Sequence, residues 1–363
     1  MSAGGFGPGR DGWRLDVADE LPDDFVHGLH AAIRAEKPDA VIVGEVWEDG
    51  SNKIAYGVRR RHIWGGHCDG LMNYPFRSAL IAYLLGGDAA RFMEEMEQLR
   101  ENYPPFAFHG AMNALGTHDT VRILTLLGEG SDRRECTKAW RADHRLSPEQ
   151  RRLAVSRLRL GALILFAFPG SPTVYYGDEA GMEGFEDPFN RRTFPWGAED
   201  GGLLSWFKAL GAARQRLAPL RRGDIRYIKA EGRVLAFTRN LDSETVLCAV
   251  NAGEEPAQVE IPWSDDPLLL PPMMASFRER YPGITLTLAE ETTPRLEEML
   301  RQGTVDLVVD YTIPNMELYD SATVREDALI LAVPRAAALQ TKKNRTARPA
   351  PISPKPSESI ACT

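Results

Sequence analysis

The chain has 363 residues, of which 43% are hydrophobic and 26% charged, with a formal net charge of −8. That length is a prior for two or three domains and allows a sizeable core, while the acidic balance gives a nucleic-acid role no electrostatic support. The first ten residues have no apolar core of the signal-peptide kind, and the longest apolar stretch, Leu160 to Pro169, is too short to span a bilayer.

Residues 12 to about 182 alternate strand-like and helix-like segments. Trp13 to Ala18 reads as a strand. Leu21 to Lys37 reads as an amphipathic helix with Phe25, Leu29, Ala32 and Ile33 on one face and Pro38 after its end. Ala40 to Trp47 is a continuous apolar run, the mark of a strand buried on both faces. Gly70 to Phe76 is a weaker strand candidate, Asp88 to Asn102 a helix and Ala111 to Thr117 a short strand. Pro148 to Phe166 reads as a long helix and Ser171 to Tyr176 as another buried strand. The alternation argues for a parallel sheet with helices outside.

A polar loop at 183–200 follows, then a helix from Leu203 to Leu217. Residues 224–263 switch to period-two runs, Ile225 to Ile228, Val234 to Arg239, Thr245 to Asn251 and Ala257 to Ile261, which predict a small antiparallel β unit. Beyond Trp263-Ser264-Asp265-Asp266-Pro267 the βα pattern returns: helix Leu268 to Arg280, strand Ile284 to Ala289, helix Pro294 to Gln302, and strands Val305 to Asp310 and Ala328 to Val333. Residues 341–363 are rich in Pro, Lys and Arg and read as disordered. The expected domains are 11–220, 221–264 and 265–335, with a disordered tail at 336–363. The four cysteines, Cys68, Cys136, Cys248 and Cys362, form no CxxC pair and no zinc spacing, which points to free thiols and a cytoplasmic location.

Three acidic residues each close a short apolar run: Asp16, Glu45 and Asp119. Parallel α/β barrels deliver their catalytic side chains from the C-terminal ends of strands, and glycosidic cleavage needs two carboxyl groups around an oxocarbenium-like transition state. Asp16 is the candidate nucleophile; Arg14, two residues earlier on the same strand face, favours its ionised form. Glu45 follows a fully apolar strand and is flanked by Trp47, a setting that suits a general acid. Asp119, beside His118, is placed to bind sugar hydroxyls and to stabilise developing positive charge. Taken singly, each acid fits a helix N-cap or a surface position at a strand end better; the ordered trio carries the reading.

The flanking residues sharpen it. Gly12-Trp13-Arg14-Leu15-Asp16-Val17-Ala18-Asp19-Glu20, Gly44-Glu45-Val46-Trp47, Gly116-Thr117-His118-Asp119-Thr120, Tyr175-Tyr176-Gly177-Asp178-Glu179 and Asp187-Pro188-Phe189-Asn190-Arg191-Arg192 occur in that order. Together they resemble the α-amylase family, glycoside hydrolase family 13, and especially its neopullulanase and cyclomaltodextrinase branch. The resemblance begins at the segment similar to barrel strand four. It implies an α/β fold with an incomplete (β/α)8 barrel, strands four to eight, followed by a truncated C-terminal β domain. It also implies cleavage of α-1,4 or α-1,6 bonds with retention in starch-derived oligosaccharides, pullulan or cyclodextrins. Asp16 would form the glycosyl-enzyme, Glu45 would protonate the leaving oxygen and Asp119 would bind ring hydroxyls. The implied substrate-binding residues are Arg14, His118, Asp19, Glu20, Trp47, Asn190 and Arg191; Asp19 and Glu20 fit equally well as the capping start of the next helix. Tyr74 and Trp64 are candidates for stacking on sugars. No cofactor is expected, since the calcium-ligand segment of the relatives is mostly absent from this sequence, and no metal residue is assigned.

Pro267 to Pro334 resembles part of the effector-binding domain of LysR-type regulators. The resemblance rests on the continuous run Leu269 to Leu288, which contains Pro271-Pro272-Met273-Met274 and Phe277-Arg278-Glu279-Arg280-Tyr281-Pro282-Gly283, on Leu296 to Gly303 and on Val305 to Val309. The implied partner is an α-glucan or cyclodextrin, with no nucleic acid and no membrane, and the oligomeric state is open. Two other readings also stay open: a non-catalytic carbohydrate binder or remnant, and a LysR-like sensor of small ligands.

Overall fold

The structure, a computed structural model, describes residues 11–242, 244–259, 288–305, 307–309, 328–332 and 358–362. In chain order the first elements are β1 (Gly12–Leu15), α1 (Asp23–Glu36), β2 (Val41–Gly44), a short hairpin β3 (Ile54–Ala55) and β4 (Val58–Arg59), and β5 (Gly70–Leu71). Helices α2 (Tyr74–Leu84), α3 (Ala89–Asn102) and α4 (Pro105–His109) lead to β6 (Met112–Ala114); α5 (Ile123–Glu129), α6 (Lys138–Asp143) and α7 (Pro148–Ala167) lead to β7 (Ser171–Thr173). Helices α8 (Gly201–Arg216) and α9 (Ala218–Arg222) follow.

Strands β1, β2 and β5 form a parallel sheet in that order, β6 and β7 pair in parallel, and a parallel bridge between Met72 and Met112 links the two groups. The result is an arc of parallel strands in chain order, with helices in the connections. Register fixes the site: Leu15 pairs with Gly44, so the next residues on the two strands, Asp16 and Glu45, emerge side by side at the C-terminal end.

The expected strand Gly70 to Phe76 shrinks to Gly70–Leu71, and α2 takes over. Asn73 accepts a hydrogen bond from the Phe76 N–H at 3.1 Å and Pro75 sits in the first turn, a helix start that sequence periodicity hides because most of α2 is buried. Helix α7 opens with a capping box in which Ser147 and Gln150 satisfy each other's backbone donors, and its second half is buried almost all round. The core beneath the arc is aromatic. Phe168 lies 5.1 Å from Phe76, 6.0 Å from Phe92, 6.2 Å from Phe108 and 6.3 Å from Phe237, centroid to centroid. Burying each such ring contributes about 1.5–3 kcal/mol before the costs of ordering.

Phe237 belongs to β9, so that cluster reaches into the next sheet. Strands β8 (Asp224–Glu231), β9 (Val234–Leu241) and β10 (Glu244–Asn251) are joined at the far edge by a strand further along the chain. Ala257 to Val259, the first part of the expected fourth strand, belongs to no strand, and Glu260 and Ile261 lie outside the described residues. One compact unit comprises residues 1–241, 245–257 and 329–337. The arc and β8–β10 fall within this one compact unit. The reason is direct contact: the Ala89 N–H donates to Gly232 O at 2.8 Å, and Arg233 donates to carbonyls at the end of α2.

The other unit comprises 242–244, 258–328 and 338–363. It contains β11 (Leu288–Thr292), α10 (Thr293–Arg301), β12 (Leu307–Val309) and, after β13 (Ala328–Ala332), β14 (Glu358–Cys362). Strand β14 pairs antiparallel with both β11 and β12, so residues 358–362, inside the segment expected to be disordered, form a strand. Strand β13 is the edge strand beside β10, not a continuation of the βα pattern. Leu296 and Val305 are buried, with Met299 and Leu300 packed against them. The expected helix Leu268 to Arg280 lies outside the described residues. No helix among the described residues is long and apolar enough to cross a membrane.

Candidate active site

Every candidate catalytic residue leaves the arc at the C-terminal end of a strand. Asp16 follows β1, Glu45 follows β2, the Met72 to Tyr74 segment follows β5, Asp119 sits in the turn after β6, and Tyr175 to Asp178 follow β7. This is the end at which parallel barrels place their chemistry.

Arg14 ties the first two acids together. One of its terminal nitrogens pairs with Asp16 Oδ1 and the other lies 2.9 Å from Glu45 Oε1. Both acids thus lie against one guanidinium, although the nitrogen facing Glu45 makes no hydrogen bond of normal geometry. Glu45 is only 4% exposed, whereas the Asp16 side chain is 73% exposed. The apolar surroundings expected for Glu45 are not found: besides Arg14, its Oε2 accepts the Val17 N–H at 2.8 Å. Val17 itself adopts the left-handed conformation, φ 41°, unusual for a β-branched residue. That conformation turns its amide toward Glu45 and separates Asp16 from the 3-10 turn Ala18–Glu20.

Asp119 meets the same space from the other side. Its Oδ2 lies 3.1 Å from His118 Nε2 and its Oδ1 3.4 Å from Arg191 Nη2; Arg191 also reaches Asp187 at 3.2 Å. Tyr74 marks the meeting point. Burial pushes its hydroxyl above the ordinary range, and the charges of Glu45 and Asp119 push the same way while Arg14 opposes them. The hydroxyl makes no hydrogen bond of normal geometry, although the Thr117 side chain lies alongside. Trp47 stacks on Tyr74 at 4.0 Å with an interplanar angle of 11° and remains 46% exposed. Trp47, Arg77, Asp119, Thr120, Asp132 and Glu186 line a cavity of about 240 Å³.

The turn bearing Asp119 is braced from below. Gly116 lies so close to Asp178 that a Cβ there would sit 2.2 Å from its Oδ2. Asp178 is buried, pairs with the buried Arg122 at 3.3 Å, and is pushed up to about 7 by burial against the opposing pull of Arg122. The Arg122 guanidinium lies 4.3 Å and 4.6 Å from the ring centroids of Tyr175 and Tyr176.

The α-amylase catalytic-domain family matches residues 7–202, more than half of the sequence. The chain belongs to the α-amylase family. It is 39% identical over 245 residues to an amylopullulanase from Thermoanaerobacter thermohydrosulfuricus, covering 64% of this chain and 15% of that protein. It is 32% identical over 258 residues to a cyclomaltodextrinase from Geobacillus thermopakistaniensis, covering 69% of this chain and 38% of that protein. Among solved structures, the debranching enzyme from Nostoc punctiforme aligns with a TM-score of 0.57 at 30% identity, over 69% of this chain and 48% of that one. The chain thus spans well under half the length of these curated relatives. Its fold over that region is the TIM-barrel type of the family. The LysR substrate binding domain family matches residues 264–350.

The remaining candidates divide by environment. Asp19 is held by the buried His62 at 3.1 Å and by Lys53 at 3.3 Å, so it belongs to an ion cluster. Burial lowers His62, and Asp19 opposes that shift. Glu20 is exposed. Trp64 donates its ring N–H to Ser51 O at 3.1 Å and lies under Arg59. Asn190, expected to touch substrate, is 0% exposed, and its amide nitrogen is spent on two backbone carbonyls. Sequence reasoning missed His62, Lys53 and Arg122, none of which carries a local signal; only the fold brings them to Asp19 and Asp178. Among the described residues, no group of three or more His, Cys, Asp or Glu is placed to hold a metal ion.

Proposed function

We propose that this chain is a retaining α-glycosidase acting on α-glucosidic bonds of starch-derived oligosaccharides, pullulan or cyclodextrins. The observation that carries the reading is the single Arg14 guanidinium against which both Asp16 and Glu45 lie; Asp119 and Trp47 line one cavity. The close pair fits a nucleophile and an acid/base working on one bond. Asp16 attacks the anomeric carbon while Glu45 gives its proton to the leaving glycosidic oxygen. Glu45, now ionised, takes a proton from water as that water displaces Asp16 from the sugar. Asp119 and His118 hold ring hydroxyls, Arg191 orients Asp119, and Trp47 offers a stacking face to a neighbouring sugar.

We read the parallel arc as strands four to eight of the barrel and residues 221–264 as the beginning of the β domain that follows it. Cys68, Cys136 and Cys248 are free thiols, which fits the cytoplasm. The test is release of reducing sugar from pullulan, starch and cyclodextrin by the purified chain. Asp16→Asn and Glu45→Gln should each lower kcat on the order of 10³-fold or more, and full activity in either variant would refute the assignment. A second reading, a non-catalytic glucan binder, is favoured by the exposed face of Trp47 on the cavity, which can hold a sugar without chemistry. Maltooligosaccharide binding by calorimetry without turnover would select it.

A further inference from the structure

We infer that Asn190 is a positioning residue: it fixes the turn that presents Asp119 and does not contact substrate. This inference rests on the glycosidase reading above for what the turn is positioned to do. Asn190 donates from Nδ2 to His118 O at 2.7 Å and to Thr120 O at 2.9 Å. The two carbonyls flank Asp119 directly in sequence, so one amide group spans the residue that carries the carboxylate. Both partners can only accept, which settles the orientation of the Asn190 amide: its nitrogen must face them. The next residue, Arg191, holds the Asp119 carboxylate. Consecutive residues of one 3-10 turn, Phe189–Arg191, therefore hold the main chain and the side chain of the same acid.

The rest of the 184–191 loop is tied to the same segment. The Arg122 N–H donates to Gly184 O at 3.0 Å, and the Gly184 N–H donates to Thr125 Oγ1 at 2.9 Å. Within the turn, the Thr117 N–H donates to Thr120 Oγ1 at 3.1 Å, the Thr120 N–H to Thr117 O at 3.4 Å and the Asp119 N–H to Thr117 Oγ1 at 3.3 Å. The Asn190 clamp anchors this turn from outside, on both sides of Asp119. Stability alone does not favour asparagine here. Its Oδ1 is buried with no partner, and an orphaned acceptor costs about 1–3 kcal/mol. What asparagine supplies is two N–H donors at the right reach.

The experiment compares wild type, Asn190→Asp and Arg191→Ala in the full chain. Asn190→Asp keeps shape but replaces the donors with carboxylate oxygens facing two carbonyls. If that variant does not fold, Asn190→Ala, which removes the donors without adding charge, takes its place. Hydrogen exchange read by mass spectrometry should speed up in residues 117–121 of the Asn190 variant, with peptides from α7 and β9 unchanged. Steady-state kinetics on maltooligosaccharides should show kcat lowered on the order of 10²-fold with KM within twofold of wild type, whereas Arg191→Ala, which frees the carboxylate but not the main chain, should lower kcat and leave exchange at 117–121 unchanged. Unchanged exchange at 117–121, exchange raised throughout, or a rise in KM without loss of kcat in the Asn190 variant would overturn the inference. If wild type shows no turnover, the glycosidase reading fails, and exchange alone decides whether Asn190 is the clamp.

Discussion

Asp178 shows how a residue outside the cleft answers to the residues within it. It is buried beneath the Asp119 turn, and its carboxyl presses on Gly116. In an unfolded chain it titrates near its ordinary value of 3.8; burial moves it in the folded state to about 7, with Arg122 pulling the other way. Between those values the folded protein holds the extra proton, so stability falls as pH rises through the window. Asp178→Asn resembles the protonated acid and cannot ionise. The melting temperature of wild type minus that of Asp178→Asn should therefore fall by roughly 5 °C or more between pH 4.5 and pH 7.5. Thermal unfolding of both proteins across that range checks it. The opposite slope would mean that Arg122 outweighs burial and holds Asp178 ionised. The sign is the informative part, because removal of one partner from a buried ion pair is ordinarily costly.

Among the elements, the joint between helix α2 and the β8–β9 turn is one that unites the arc with the sheet that follows. Arg233 donates to the carbonyls of Tyr83, Gly87 and Ala252 and lies 5.1 Å from the Tyr83 ring centroid, while the Tyr83 hydroxyl donates back to Arg233 O at 2.8 Å. Arg233→Ala leaves these carbonyls without their donor and should cost about 2–4 kcal/mol. Urea unfolding should show a lower midpoint with an unchanged slope if the two parts melt together. A second transition would mean that they had come apart. The sequence disclosed elements wherever the signal was local: the apolar run before Glu45, the long helical run of α7, the alternation in β9. It concealed α2, because a helix buried on most sides has no polar stripe, and it concealed the burial of Asn190, because that depends on two loops some seventy residues apart meeting. Asp16 and Glu45 stand out in the sequence for the same reason as their strands, since each directly follows one, whereas Asp119 lies in the turn beyond β6. Their common partner Arg14 was legible only in part: the spacing pointed to Asp16, and only the β1–β2 register adds Glu45.

At the scale of the whole molecule, the parallel arc ends at β1 and β7, each paired along one side among the described residues. On the reading of the arc as strands four to eight of an eight-stranded barrel, three more βα units, in the same polypeptide or in another, would pair with both edges. An edge strand with unpaired N–H and C=O groups is a template for such pairing. The acids themselves are already held by contacts internal to the arc, through Arg14, Val17 and Arg191. Strands added at those edges would therefore bear on how the sugar is seated rather than on how the acids are arranged. A polypeptide carrying the first three βα units of the cyclomaltodextrinase relative, titrated into this protein, should comigrate with it in size-exclusion chromatography and raise kcat/KM on the order of 10²-fold, the scale on which misplacement of a bound substrate costs rate. The gain should vanish in Asp16→Asn, because the added segment supplies none of the three acids. Comigration without a gain would show that the arc seats its substrate unaided. A gain that persists in Asp16→Asn would place the nucleophile elsewhere.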